Sequence, residues 1–67
     1  MFEERLLLAD GVLLELSFAS PADYRLACRR DGRLLVEYRS GRGYAFQSVE
    51  KLRYDFERDV ENALRPR

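Results

Sequence analysis

The sequence predicts an α+β fold, an antiparallel β-meander of four to five strands with one C-terminal helix packed on one face. Two Asp-Gly pairs, Asp10-Gly11 and Asp31-Gly32, each lie between apolar-rich runs, and glycine supplies the positive φ that a hairpin turn requires. The residues flanking these pairs alternate apolar and polar, whereas from Ser48 onward the apolar spacing becomes that of a helix. With 67 residues in all, the chain has room for one small core and is expected to form a single domain.

The first hairpin is expected to join strands at residues 2–8 and 12–18 through a three-residue loop, Ala9-Asp10-Gly11. Residues opposite each other on antiparallel strands share a face. This loop sets Phe2 opposite Phe18 and Leu6 opposite Leu14 on one face, and Arg5 opposite Glu15 on the other.

Residues 21–30 admit two readings. Ser20-Pro21-Ala22-Asp23 has the N-cap, first-turn proline and acid of a helix start, and Gly32 suits the position after a helix. Such a helix would set Arg25, Arg29 and Arg30 around Ala22 and Leu26 and leave no clean apolar stripe. As a strand at 24–29, following a helical turn at 20–23, the same residues alternate properly, and this is the favoured reading.

For the second hairpin, a two-residue Asp31-Gly32 loop would set Leu26 opposite Glu37 and Tyr24 opposite Arg39, mixing apolar and charged residues on both faces. A three-residue loop, Arg30-Asp31-Gly32, pairs Tyr24 with Tyr38, Leu26 with Val36 and Cys28 with Leu34, and leaves Arg25 with Glu37 on the other face. The expected strands are 24–29 and 33–39. Ser40-Gly41-Arg42-Gly43 then forms a turn, and Tyr44-Ala45-Phe46 continues the alternation as a fifth strand at 44–47, with Tyr44 beside Tyr38 and Phe46 beside Val36.

The helix is expected over residues 48–64. Ser48 is a good N-cap, and Val49, Leu52, Phe56, Val60, Ala63 and Leu64 form one apolar stripe. Lys51–Asp55, Arg53–Glu57 and Glu61–Arg65 are opposite charges at i,i+4, and Pro66 ends the segment.

Composition narrows what this fold does. Apolar residues make up 46% and charged residues 36%, too apolar for a disordered tail and too charged for a membrane span. A chain this short buries only roughly 60% of its extended surface and usually needs a disulfide, a metal or a partner. Cys28 is the single cysteine and there is no histidine, so an internal disulfide and the usual zinc ligand sets are out of reach. Association remains. Met1-Phe2-Glu3-Glu4-Arg5 is acidic where a secretory leader is basic, and the Leu6–Ala9 run is too short for its apolar stretch; with one free cysteine this suggests a cytoplasmic protein.

The helix covers one sheet face, so the other should be polar in a monomer. Leu7 and Leu13 pair there instead, and Ala27 and Leu35 extend the patch. Leu7, Leu13, Ala27 and Leu35 are therefore the candidate residues for binding a partner, either a second copy in a homodimer or another protein.

Catalytic chemistry is nearly absent. Without histidine no Ser–His or Cys–His nucleophile can form, and Cys28 falls at an inward strand position. Asp55–Asp59 and Glu57–Glu61 read as a solvated helix face, and Ser40-Gly41-Arg42-Gly43 lacks the spacing and lysine of a phosphate-binding loop. No enzyme activity, cofactor, metal or small-molecule substrate is expected. The alternative to protein interaction is single-stranded nucleic acid. Twelve Lys+Arg balance twelve Asp+Glu, yet residues 24–47 carry six arginines against Asp31 and Glu37. Arg25, Arg29, Arg33, Arg39 and Arg42 interleave with Tyr24, Tyr38, Tyr44 and Phe46, a pairing of phosphate neutralisation and base stacking. The expected register sets most of these arginines and the aromatics on opposite faces, and zero net charge weakens electrostatic binding.

Residues 31–49, with a strand, a Ser-Gly turn, the aromatic pair Tyr44-Ala45-Phe46 and then a helix, resemble the central hairpin of KTSC domains. These are short domains at the C-terminus of some lysyl-tRNA synthetases and in stand-alone bacterial proteins. The family's Tyr-x-Tyr appears here as Tyr44-Ala45-Phe46, and the acidic first hairpin departs from it. The resemblance implies a small binding module, with RNA as one ligand.

Overall fold

In the computed structural model, which describes residues 1–65, four antiparallel strands run in the order β1 (Phe2–Leu7), β2 (Val12–Ser20), β3 (Asp23–Arg30) and β4 (Arg33–Arg39), followed by helix α1 (Val49–Leu64). This is the expected α+β meander. Pro66, expected to end the helix, lies outside the described residues.

The first hairpin has the expected register, with Phe2 opposite Phe18, Arg5 opposite Glu15, Leu6 opposite Leu14 and Leu7 opposite Leu13. Its loop Ala9–Gly11 is a single 3₁₀ turn with Asp10 at φ 63° and Gly11 at φ 73°. A side chain at Gly11 would be strained by this φ and would also displace the Asp31 carboxylate that lies against it. The two Asp-Gly turns sit side by side, and the Asp31 N–H donates to the Gly11 carbonyl at 3.1 Å.

Residues 23–30 form a strand, settling the choice in favour of β structure. The expected helical turn at 20–23 is instead a two-residue turn, Pro21-Ala22, between the paired residues Ser20 and Asp23. Proline presets φ for such a turn, and the Ser20 hydroxyl accepts from the Ala22 N–H at 3.2 Å.

The second hairpin differs from expectation in an instructive way. Its loop is the two-residue Asp31-Gly32, with both residues at positive φ and Arg30 opposite Arg33. The mismatch that such a loop would impose on the faces is removed by a bulge. Arg29 pairs with Leu34 but Cys28 pairs with Val36, so Leu35 is the extra residue. Beyond it Leu26 lies opposite Tyr38, and Arg25 opposite Arg39. One inserted residue shifts the pairing by one and returns every inward side chain to the inner face. Tyr24, Leu26, Cys28, Val36 and Tyr38 thus share the face foreseen for them, but with other partners. Deleting Leu35 is therefore expected to straighten β4 without changing which residues pair beyond it, at about 1 kcal/mol for the lost side chain. A nuclear Overhauser contact between Leu26 and Tyr38 in the deletion variant checks this, and an unfolded variant refutes it.

Residues 40–48 do not form the expected fifth strand. They run as a strap from β4 to α1, held by two aromatic anchors. The Tyr44 ring lies 5.1 Å from that of Tyr38, the expected neighbour. Phe46 packs not beside Val36 but against Phe18 and Tyr24, at 5.8 and 5.9 Å between ring centres. The outer edge of β4 is unpaired among the described residues, but the apolar contacts of the two rings win over strand pairing there, and the strap crosses to the core with Phe46 against Phe18 and Tyr24.

Helix α1 begins as expected, with the Ser48 hydroxyl accepting from the Lys51 N–H at 3.1 Å. Leu52, Phe56 and Val60 are buried against Leu14, Leu16, Leu26 and Cys28 of the sheet. Val49 and Leu64 pack at the margins, but Ala63 is exposed. Of the three expected pairs, Lys51–Asp55 and Arg53–Glu57 close, at 3.0 and 3.9 Å.

Candidate interaction surface

The outer face carries alternate residues of every strand, and its centre is an ion-pair lattice. Glu15 receives Arg29 at 3.3 Å and Arg5 at 3.8 Å, and Arg25 reaches Glu37 at 2.9 Å. Ala27 lies opposite both Glu15 and Glu37, and its small side chain is 0% exposed. The lattice therefore closes over the residue expected to extend an apolar patch. Arg25 and Glu37 do meet, but diagonally, because the bulge sets Glu37 opposite Ala27. Beside the lattice an open groove of about 490 Å³ is lined by charged residues of both signs, among them Glu3, Arg5, Glu15 and Arg25.

At the end of the sheet that bears the Asp-Gly turns the character changes. Leu7 is 78% exposed and lies opposite half-buried Leu13. The row continues from Leu13 to Arg29 and from Arg29 to Leu34, which is 42% exposed. Leu6 and Leu8 are exposed at the same end of β1. Of the four candidate partner-binding residues, Leu7 and Leu13 stand in this patch. Ala27 is covered, and Leu35 packs against the core from within the bulge. Leu34 takes the place expected of Leu35. The two-residue turn sets it opposite Arg29 on the outer face, ahead of the bulge, and its own side-chain type carries no signal of that.

The candidate nucleic-acid residues separate into three places. Arg25 and Arg29 are engaged in the lattice. Arg33 stands exposed beside the second turn. Arg39, Arg42 and Tyr44 converge at the far end of β4, where with Glu37 and Tyr38 they line a groove of about 140 Å³.

Behind that groove lies a hydrogen-bonded cluster that the sequence did not disclose. The Tyr44 hydroxyl donates to Asp55 at 2.7 Å and the Tyr38 hydroxyl to Asp59. Lys51 Nζ donates to both oxygens of Asp55, at 3.0 and 3.3 Å. Asp55 is only 6% exposed, far from the solvated carboxylate expected of it. The hydrogen bonds from Tyr44 and Lys51 hold its carboxyl below the ordinary value. Burial and the bond to Asp55 push the Tyr44 phenol up to about 12, and burial and Asp59 raise that of Tyr38 as well. Both phenols stay protonated at neutral pH and tie the sheet and the strap to α1. Burial raises the Cys28 thiol, consistent with an unreactive core residue.

Among the described residues no three His, Cys, Asp or Glu side chains gather as a metal site would need. Among these residues no helix is long and apolar enough to cross a membrane. No protein-family model, curated protein or solved structure matches the chain.

Proposed function

We propose that this protein is a non-catalytic interaction module that docks a second copy of itself through the turn end of its outer sheet face. The observation that carries the proposal is Leu7, 78% exposed directly opposite Leu13, with Leu34 in the same row beyond Arg29; Leu6, also exposed, lies at the β1 edge on the opposite face. Large apolar side chains gathered at one end of a small polar surface mark an interaction site.

Two features favour a second copy as the occupant. A two-fold interface sets one patch against itself and so must be self-complementary. Beside the leucines the charges of the face pair within the subunit, Glu15 with Arg29 and Arg5 and Glu37 with Arg25, so the face sets no strong field of one sign against its own copy. A standard interface takes about 800 Å² from each partner, roughly a sixth of the 4876 Å² that the chain exposes. The short chain, without a disulfide, gains from association the burial that it lacks alone.

Sedimentation velocity of the wild type and of Leu7→Glu tests this. Burying one leucine contributes about 1.5–3 kcal/mol, and in a two-fold dimer each substitution acts twice. Leu7→Glu should therefore weaken dimerisation by about 100-fold or more while leaving the circular dichroism spectrum of the subunit unchanged, since Leu7 is exposed in the monomer. A wild type that stays monomeric at about 100 µM, or a variant that dimerises equally well, overturns the proposal.

A further inference from the structure

We propose that the groove at the far end of β4 binds a single nucleotide unit, its phosphate on Arg39 and Arg42 and its base against the tyrosine wall. The unit is either a free nucleoside monophosphate or the phosphorylated end of a strand. The groove is lined by Glu37, Tyr38, Arg39, Arg42 and Tyr44, at the opposite end of the sheet from the leucine patch.

Charge is the first support. Arg39 and Arg42 close no ion pair among the described residues, while two of the three carboxylates around the groove are neutralised by other cations. Glu37 is held by Arg25 at 2.9 Å, and Asp55 by Lys51 at 3.0 Å and Arg58 at 3.8 Å. Asp59, bonded to the Tyr38 hydroxyl, is the third, so two unpaired guanidinium groups stand against one carboxylate without an ion pair among the described residues, and the balance at this edge is positive. The turn holds them close along the chain, with the Arg42 N–H donating to the Arg39 carbonyl at 3.3 Å. A guanidinium presents paired donors that match two phosphate oxygens.

Preorganisation is the second. Tyr38 and Tyr44 have their hydroxyls bonded to Asp59 and Asp55, and Tyr38 packs edge-on against Phe56 at 5.8 Å. The rings are fixed before any ligand arrives, so a base can stack without first ordering its platform. With both phenols protonated, the wall adds no negative charge to repel a phosphate. Size limits the contact. At about 140 Å³ the groove is well below the roughly 300–1,000 Å³ of a drug-sized pocket, so it seats the phosphate and one face of the base and leaves the rest of the nucleotide in solvent.

The test is a titration of the ¹⁵N-labelled full chain followed by amide shifts. The ligands are adenosine monophosphate, adenosine, inorganic phosphate, and one short oligonucleotide with and without a 5′-phosphate. Adenosine monophosphate is expected to shift the amides of residues 38–44, and adenosine and inorganic phosphate to bind roughly tenfold more weakly or worse. Arg39→Ala and Arg42→Ala should each weaken binding by roughly tenfold with the rest of the spectrum unchanged, since neither side chain supports the fold. Tyr44→Phe, which keeps the ring, should retain most of the affinity. Preference for the phosphorylated oligonucleotide over its unphosphorylated form identifies a strand end as the source, and preference for adenosine monophosphate over both identifies a free nucleotide. Absence of shifts at about 10 mM adenosine monophosphate, equal binding by the arginine variants, or equal binding of inorganic phosphate overturns the proposal.

Discussion

Phe56→Ala is expected to cost about 3–5 kcal/mol, which for a domain of this size unfolds most of the molecules at room temperature. Phe56 is the largest fully buried side chain. It joins the helix to the sheet at the point where Tyr38 meets it edge-on, and Leu52 and Val60 flank it on the buried stripe. Truncation removes both the transfer energy of the ring and the contacts that its neighbours make with it, and a two-layer fold this thin has no second core to compensate. Urea unfolding followed by far-ultraviolet circular dichroism should show no folded baseline for Phe56→Ala. Phe56→Leu, which keeps most of the volume, should lose about 1–1.5 kcal/mol and remain cooperative. A cooperative Phe56→Ala within about 1 kcal/mol of wild type would mean that α1 does not pack on the sheet in this way.

Stability should fall off on both sides of a pH window set by the Tyr–Asp cluster. The Asp55 carboxyl lies below its ordinary 3.8 in the folded chain. Its contribution is therefore present above that pH and lost as the pH falls through the folded value. The phenols of Tyr38 and Tyr44 shift the other way, upward from the ordinary 10.0, that of Tyr44 to about 12. Their contribution is present below pH 10 and lost as the pH rises through the folded values. Melting temperatures measured across the range should form a plateau with an acid and an alkaline shoulder. Asp55→Asn should remove the acid shoulder and soften the alkaline one, and Tyr44→Phe should weaken both, because the bond between the two groups contributes to the shift of each; Tyr38 keeps part of the alkaline shoulder in either variant. If both variants follow the wild-type profile in parallel, the cluster does not link helix, strap and sheet.

The parts of this architecture legible in the sequence are those fixed by neighbours along the chain. Ser48, the helical stripe and the i,i+4 pairs mark α1 because every partner lies within one or two turns. The first hairpin is legible because the Ala9-Asp10-Gly11 loop brings like residues opposite each other without further adjustment. In the second hairpin the same face-matching rule is obeyed by two arrangements, a three-residue loop or a two-residue loop with one bulged residue. Face patterning fixes only whether the shift is odd or even, so it assigns Tyr38 the right face but the wrong partner and exchanges the roles of Leu34 and Leu35. Ala27 escaped because alternation marks it as outward-facing and takes no account of the long arginine and glutamate side chains that close above it. Asp55 escaped for a related reason. A carboxylate on a charged helix looks solvated until Tyr44 is carried over it by a strap whose alternating aromatics resemble a strand.

The strand order has a kinetic consequence. In β1-β2-β3-β4 every strand pairs with its immediate neighbour in the chain, and the three connections within the sheet are turns of a few residues. Only α1, carried on the strap, must find its partners across a longer stretch. The mean sequence separation of contacting residues is thus low for a β-rich protein, and loop closure demands little entropy before contacts begin to form. Hairpins of this kind form in about 1–10 µs, so the sheet can zip in sequence from either Asp-Gly turn. Docking of Leu52, Phe56 and Val60 is then the step that converts a loose meander into a cooperative fold.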